Sequence, residues 1–441
     1  LNPGLCLRDS GNDQDPATTL GDGCNSTSNP ALNAAYVAAP GSFAINGDNG
    51  NLNYDKGDLV GGAFKMTSDL NLSWRNFGAL VRASYFYDEP NVDFDDQHPD
   101  RTFQPAETRR PKAVEKLIGT DLERLDSYVF GTFPFIGERQ LTVRLGDQVL
   151  NWGESSFLVA NSLNHIAPPS VARLRAPALD IKELFIPVGM LYLGTEIVPN
   201  LSMEAFYQYK WQPTVPDPVG SFYSTSDTFG AGGTYAMLSF GKVAEDPTQS
   251  YDPALNPDDA TGLLGSSSRT ILRIADRTPK DGGQYGFKLA YFAENFNGGT
   301  EFSGYYMNYH SRLPIASFIA GEASCGTNAD NLLEFIDPIN GCGPPGLGLG
   351  SGVGTNGNGF GRLMFAREPL PVETVNAFLE YPEDIHMYGT SFNTTIGDWA
   401  WSGEVAYRPN QPLQVHSIDL LFAALQPSFV AGDIALGPAG T

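Results

Sequence analysis

The sequence predicts an all-β protein: a transmembrane antiparallel up-and-down β-barrel of the bacterial outer membrane, with short periplasmic turns and long extracellular loops. Three observations predict it. Five hairpins alternate apolar and polar residues with a period of two, their connections are alternately short and long, and tryptophans fall near strand ends.

The first hairpin is "AFKMTSDLNLSWRNFGALVRASYFY", residues 63–87. Phe64, Met66, Leu70, Leu72 and Trp74 share one parity; Lys65, Thr67, Asp69, Asn71 and Ser73 share the other. Period-two alternation is a strand signal, because successive side chains point to opposite faces. The second hairpin is 125–135 with 141–152, and the third is 188–198 with 201–211 around Pro199-Asn200. The fourth joins 284–293 to 300–311, and the fifth joins 385–396 to 399–408 across Gly397-Asp398. The resulting strands are about ten residues long, the length that crosses a bilayer at a tilt. In 201–211 the apolar parity carries Leu201, Met203, Tyr207, Tyr209 and Trp211 against Ser202, Glu204, Gln208 and Lys210. A soluble sheet seldom needs an aromatic at so many apolar positions, so the apolar face is expected to meet lipid and the charged face to line the lumen.

Between hairpins lie the segments 88–124, 153–187, 212–283 and 312–384, all rich in Gly, Pro, Asp and Ser. Long loops at one rim and tight turns at the other describe a barrel better than a sandwich. Trp74, Trp399 and Trp401 sit beside short turns, and Trp152 and Trp211 at far strand ends, as two interfacial girdles would place them. The chain divides into an N-terminal loop region, 1–62, the hairpins and their loops, 63–408, and a loop, 409–441, leading toward further strands. Closing strands are expected outside the sequence, since "FVAGDIALGPAGT" is no strand. The opening "LNPGLCLRDSGNDQDP" has neither a basic nor an apolar leader segment, so any signal peptide is expected to have been removed.

Composition narrows the function. Charged residues are 17% of the 441, below the roughly 25% of a typical soluble domain. The net charge of −23 argues against nucleic acid, which calls for concentrated Lys and Arg. No run of about 18 apolar residues could form a transmembrane helix. Neither GxSxG nor HExxH occurs, and an enzyme is not expected. His310 beside Ser311 cannot easily act as a pair, because strand neighbours face opposite ways. Cys6 with Cys24 and Cys325 with Cys342 lie in loop-like sequence without CxxC spacing, which favours two local disulfides over zinc. Each would constrain its loop by about 3 kcal/mol.

The candidate lumen residues are Lys65, Asp69, Arg82, Arg144, Glu204, Lys210, Lys288, Glu404 and Arg408. They suit either a polar pathway or a wall of charges paired between neighbouring strands. Segment 164–187, "NHIAPPSVARLRAPALDIKELFIP", mixes apolar residues with Arg173, Arg175, Asp180 and Lys182. It is a candidate to fold into the lumen, with a packed extracellular loop as the alternative. Asp48, Asn51, Asp55 and Asp58 loosely resemble a structural calcium (Ca2+) loop but lack its bidentate Glu, so a turn-rich strand entry is favoured and no cofactor is expected. The acidic stretch 88–100 could share divalent ions with lipopolysaccharide, ordinary solvation being the default, and the glycines of 350–361 lack the lysine of a phosphate cradle.

Several stretches in order resemble the proteobacterial outer-membrane proteins grouped as domain of unknown function 1302. They are "INGDNGNLNYDKGDLV" (45–60), "VRLGDQVLNWGESSF" (143–157), "ARLRAPALDIKELFIPV" (172–188), "LSMEAFYQYKW" (201–211), "MNYHSRLP" (307–314) and "GEVAYRPNQPLQ" (403–414). The resemblance implies a link to RND-type, MMPL-like inner-membrane transporters and a periplasmic partner, and hence movement of hydrophobic or lipid-like compounds. It supplies no catalytic residues. The expectation is an outer-membrane transport barrel for such compounds. The alternatives are a surface structural or adhesive barrel whose loops mediate attachment, and a general porin.

Overall fold

A computed structural model describes residues 50–54, 56–94, 112–155, 162–174, 181–226, 228–238, 269–321 and 375–425. Ten strands form one antiparallel sheet. They are β1 (Ala63–Trp74), β2 (Phe77–Asp88), β3 (Thr120–Pro134), β4 (Gln140–Gln148), β5 (Val188–Val198), β6 (Leu201–Gln208), β9 (Gln284–Ala293), β10 (Thr300–Tyr309), β13 (Ile385–Ile396) and β14 (Trp399–Tyr407). They pair in that order, each with its predecessor, so the five hairpins stand side by side. The outer edges of β1 and β14 are not joined to each other, and the sheet is open.

The tight turns follow from local backbone preference. Arg75 (φ 52°), Asn200 (φ 66°) and Gly397 (φ 62°) each take the left-handed conformation that two-residue hairpin loops demand. With every within-hairpin turn at one end of the strands, the long connections all leave from the other. Register slips at Val81/Ala83 and Glu196/Val198 mark bulges, which bend a strand locally.

The long connections are not wholly irregular. β7 (Tyr235–Leu238), β8 (Arg269–Arg273), β11 (Ile315–Ile319) and β12 (Asn376–Glu380) build a second sheet in the order β11-β12-β8-β7, with β12 and β8 parallel. Ile271, Val375, Ala377 and Ala424 form its core. Ala424 comes from a helix, Ser417–Leu425, within the stretch that reads as loop from sequence. Among the described residues no helix is long and apolar enough to cross a membrane.

The large sheet has one bare face and one covered face. The bare face carries Phe64, Met66, Leu70, Leu72, Val81, Val129, Leu145, Tyr207, Phe287, Leu289, Tyr291, Tyr388, Trp401, Val405 and Tyr407, all exposed. The covered face holds the main core: Val188 and Met190 of β5, Phe206 of β6, Tyr305, Met307 and Tyr309 of β10, and Ile385 and Met387 of β13. Trp152, Leu163 and Ile166, from the connection after β4, complete that cluster.

The tryptophans divide accordingly. Trp74, Trp399 and Trp401 are 67%, 74% and 57% exposed beside the tight turns. Trp152 is only 2% exposed, packed 5.0 Å from Phe206 and 6.0 Å from Tyr305. Trp211 is also buried, against Tyr381, its indole N–H donating to the Ser311 carbonyl. Trp152 and Trp211 therefore do not contribute to the second girdle expected of them. β4 and β6 end before these residues, which lets the chain turn both rings inward.

Candidate functional site

The connection between β4 and β5 forms the site. After Gln148 the chain leaves the sheet, fixed by the Val149 N–H donating to Asp126 and by Gln148 Nε2 donating to the Met190 carbonyl. Trp152 enters the core and donates Nε1–H to Glu204 Oε2 at 3.0 Å. Gly153 follows with φ 91°, and a Cβ there would lie 2.4 Å from Glu404 Oε2 and 2.9 Å from Leu163 Cβ. Only glycine fits so close an approach.

Glu404 of β14 is the first anchor. Its Oε2 accepts the N–H of Glu154 at 2.6 Å and of Ser155 at 3.1 Å, and its Oε1 accepts the N–H of Leu163 at 3.1 Å. Arg408, just past β14, donates to the Ser162 carbonyl. Leu163 seats over Gly389 of β13, where a Cβ would come within 2.0 Å of its Cδ2. Two residues on, His165 stacks on Tyr309 at 5.2 Å. Burial, with Arg408 and Arg312 adding to it, pulls its pKa down to about 3. The Ile166 carbonyl accepts from Gln208 Nε2 at 2.8 Å and from Arg312 Nη2 at 3.2 Å, and Arg312 also donates to Gln208 Oε1 at 2.5 Å.

The same segment then reaches the opposite edge. Pro169 bridges Phe185, and Ser170 bridges Val215. Two one-turn helices follow, α2 (Val171–Leu174) and α3 (Ile181–Leu184). Arg173 pairs with Glu123 of β3 and donates to the Glu183 carbonyl at 3.2 Å. Glu183 pairs with Lys65 and accepts from Thr67 Oγ1 at 2.7 Å, both on β1. Thus, at the opposite edges of the covered face, Glu183 binds β1 and the described residues 152–155 and 162–163 bind β14. The sheet bends over them: residues 152–154 alone reach both Glu204 on β6 and Glu404 on β14. Those strands are four positions apart, about 19 Å in a flat sheet.

Other charges on this face are paired: Arg82 with Asp69 at 2.7 Å and Asp126 at 3.4 Å, and Lys288 with Glu204 at 3.4 Å. Arg124 pairs with Asp147 at 2.6 Å on the opposite, bare face, where Arg124 is exposed. Arg144 lies over the Tyr128 and Tyr192 rings at 5.7 and 5.0 Å. Desolvated charges need such partners, and these fix the wall's polarity. Lys210 is different: it lies beyond the end of β6 and is exposed. Arg175 and Asp180 lie outside the described residues, and so do the four cysteines, Asp48 and Asp55; of Lys182 only the backbone, in α3, is described. Asn51 sits in a 3-10 turn and Asp58 is exposed. Among the described residues no three His, Cys, Asp or Glu are grouped to hold a metal.

Sequence reading did not single out Trp152, Gly153, Leu163, Ile166, Gln208, Arg312 or Gly389 as one constellation. The break of alternation at "NWG", residues 151–153, marks where the chain leaves the sheet, but nothing local says which distant strands receive it.

Fold and site define a class: an all-β protein whose antiparallel sheet packs residues of its own β4–β5 connection against one face. The chain belongs to the family described as Protein of unknown function (DUF1302), whose model matches residues 9–436. A search of curated proteins returned no match.

Proposed function

We propose that the protein is an outer-membrane β-barrel that carries hydrophobic or lipid-like compounds across that membrane, working with a periplasmic partner and an RND-type inner-membrane transporter. In this reading the bare face meets lipid and lipopolysaccharide, and the wall is completed by pairing at β1 and β14. The observation that carries the reading is the combination of the two faces. Exposed apolar side chains on this scale are unusual for a protein surrounded by water, where patches seldom exceed a few hundred Å². The opposite face is covered by residues 152–155, 162–174 and 181–183, held at both edges, and carries paired charges. Such an interior leaves little room for a wide hydrated channel. Apolar cargo has no need of one, because it gains free energy by leaving water.

The test combines reconstitution and deletion. Planar bilayers containing the protein should show low ion conductance. A deletion strain should lose growth on, or export of, long-chain apolar compounds while small-sugar uptake stays normal. Large, steady conductance with no apolar phenotype would make it a general porin. Cysteines placed at Met203 and Tyr207 should react with apolar reagents, and those at Ser202 and Glu204 with aqueous ones; equal reactivity would refute the membrane assignment.

A further inference from the structure

The bare face carries a groove of about 540 Å³ at the tight-turn end of β1 to β4, away from the helix α1 (Lys112–Ile118) that leads into β3. The strand register explains it. Leu72, Ala79, Val129 and Leu145 lie in one row across the four strands. Trp74, Phe77, Gly131 and Val143 form the next row. Ala79 and Gly131 are diagonal neighbours in these rows, so the surface dips between larger side chains. Phe133 lies over Gly131, where a Cβ would come within 2.8 Å of its ring, and meets Phe77 edge-on at 5.5 Å. The lining is apolar apart from Ser73. Paired strands lie about 4.8 Å apart, which makes the groove about 14 Å across.

Charge at the rim sets the kind of ligand. Arg75, in the turn between β1 and β2, holds its guanidinium 4.9 Å from the centre of the Trp74 ring, and Trp74 lines the groove. Arg75 is exposed and forms no ion pair among the described residues. Of the five tight turns, only this one has a net positive charge. Glu138 and Arg139 cancel in the β3–β4 turn, Pro199-Asn200 is neutral, and Glu294 and Asp398 make the other two negative. Arg75 also takes the left-handed conformation (φ 52°), where Asn or Gly would sit with less strain. Backbone preference therefore does not account for an arginine at this position.

We propose that the groove holds one acyl chain of an anionic phospholipid whose phosphate is bound by Arg75, in the leaflet at the tight-turn rim. This deepens the membrane reading and rests on it. Barrel strands tilt by about 35–45°, so a chain running along the bilayer normal crosses β1 to β4 as the groove does. A guanidinium offers several N–H donors in a rigid fork that fits a phosphate. In a zwitterionic lipid the amine of the head already offsets the phosphate; an anionic head lacks that internal partner and gains more from Arg75. Glu294 and Asp398 repel the same head at the fourth and fifth hairpins. The site lies on the outside of the wall and needs no opening in it.

The test uses the full chain in phosphatidylcholine nanodiscs. The probes are phosphatidylglycerol and phosphatidylcholine carrying the same photoreactive acyl chain, each added at the same small fraction, with labelled positions mapped by mass spectrometry. The phosphatidylglycerol probe should label peptides containing Trp74, Val129 or Val143 several-fold more than the phosphatidylcholine probe does. Phe392 and Val405, on the bare face of β13 and β14, should show no such preference. Arg75→Asn, which suits the left-handed turn, should lower phosphatidylglycerol labelling of the groove to the phosphatidylcholine level, and Arg75→Lys should keep part of the difference. Ala79→Phe, which fills the groove, should reduce labelling there by both probes several-fold. Labelling at Phe392 and Val405 should persist in that variant, which also shows that it is folded. Equal labelling of the groove by the two probes in the unaltered protein would overturn the head-group assignment. Groove labelling no stronger than that at Phe392 and Val405, and unaltered by Ala79→Phe, would overturn the site and leave the membrane reading intact. A bare face unlabelled by either probe would overturn the membrane reading and the site with it.

Discussion

Replacing Glu404 by alanine should release the interior segment from β14 without unfolding the sheet. The carboxylate accepts three backbone N–H groups, from Glu154, Ser155 and Leu163, at 2.6 to 3.1 Å. Hydrogen bonds to a charged group are each worth about 1.5–3 kcal/mol. Taking the lower figure for a site that is only partly buried, their loss amounts to about 4 kcal/mol, or on the order of a thousandfold in the opening equilibrium. Amide hydrogen exchange reads this directly: the three amides should exchange about a thousandfold faster, while those of β6 and β9 keep their protection. Glu404→Gln should lie between the two, because its amide oxygen can retain the Glu154 and Ser155 pair while its NH2 faces the Leu163 N–H. Unchanged exchange at all three amides would refute the anchoring role. Equal acceleration throughout the sheet would show that Glu404 holds the wall and not the segment.

Gly389→Val should also loosen the segment, since its side chain would begin 2.0 Å from Leu163 Cδ2, an overpacking that costs about 1–3 kcal/mol; Leu163→Ala on that background should restore part of the lost thermal stability, and failure to do so would disprove the contact. His165 supplies a pH signature. Its folded-state pKa lies below the ordinary histidine value, so the unfolded chain takes up the proton first as pH falls. Its contribution should be complete above about pH 6.5 and decline as pH falls toward 3. His165→Phe should flatten that part of the stability profile, and an unaltered slope would exclude His165 as its source.

The hairpins were legible because alternation and turn chemistry are local. Phe64 to Trp74, the Arg75-Asn76 turn and the resumption at Phe77 state a strand pair within about two dozen residues, and β1 and β2 pair in that register. Lys65, Asp69, Glu204, Lys288 and Glu404 share the face opposite their aromatic neighbours for the same reason. The partners of those charges were not legible. Glu404 binds residues about 240 to 250 positions away, and Glu183 binds Lys65 118 positions away. The second sheet escaped notice because β7 has four residues and β8, β11 and β12 five each, too few for a period to register. The β12–β8 pairing is parallel and joins distant loops, so no turn announces it. Trp152 illustrates the remaining difficulty: a tryptophan at a strand end suits an interfacial belt and a buried core equally well until the course of the next residues is known.

The anchoring of one segment by the last hairpin imposes an order on assembly. Neighbouring strands can add one hairpin at a time, each on the edge left by the one before, with mostly short chain closures. The contact between Leu163 and Glu404 is of another kind, closing a loop of 241 residues. Non-local contacts of this length are slow to form, because the entropy of bringing the ends together must be overcome before the bond rewards it. The interior segment can be latched at its far end only once the fifth hairpin has arrived. Until then the covered face of the earlier strands must wait for its partner at β14.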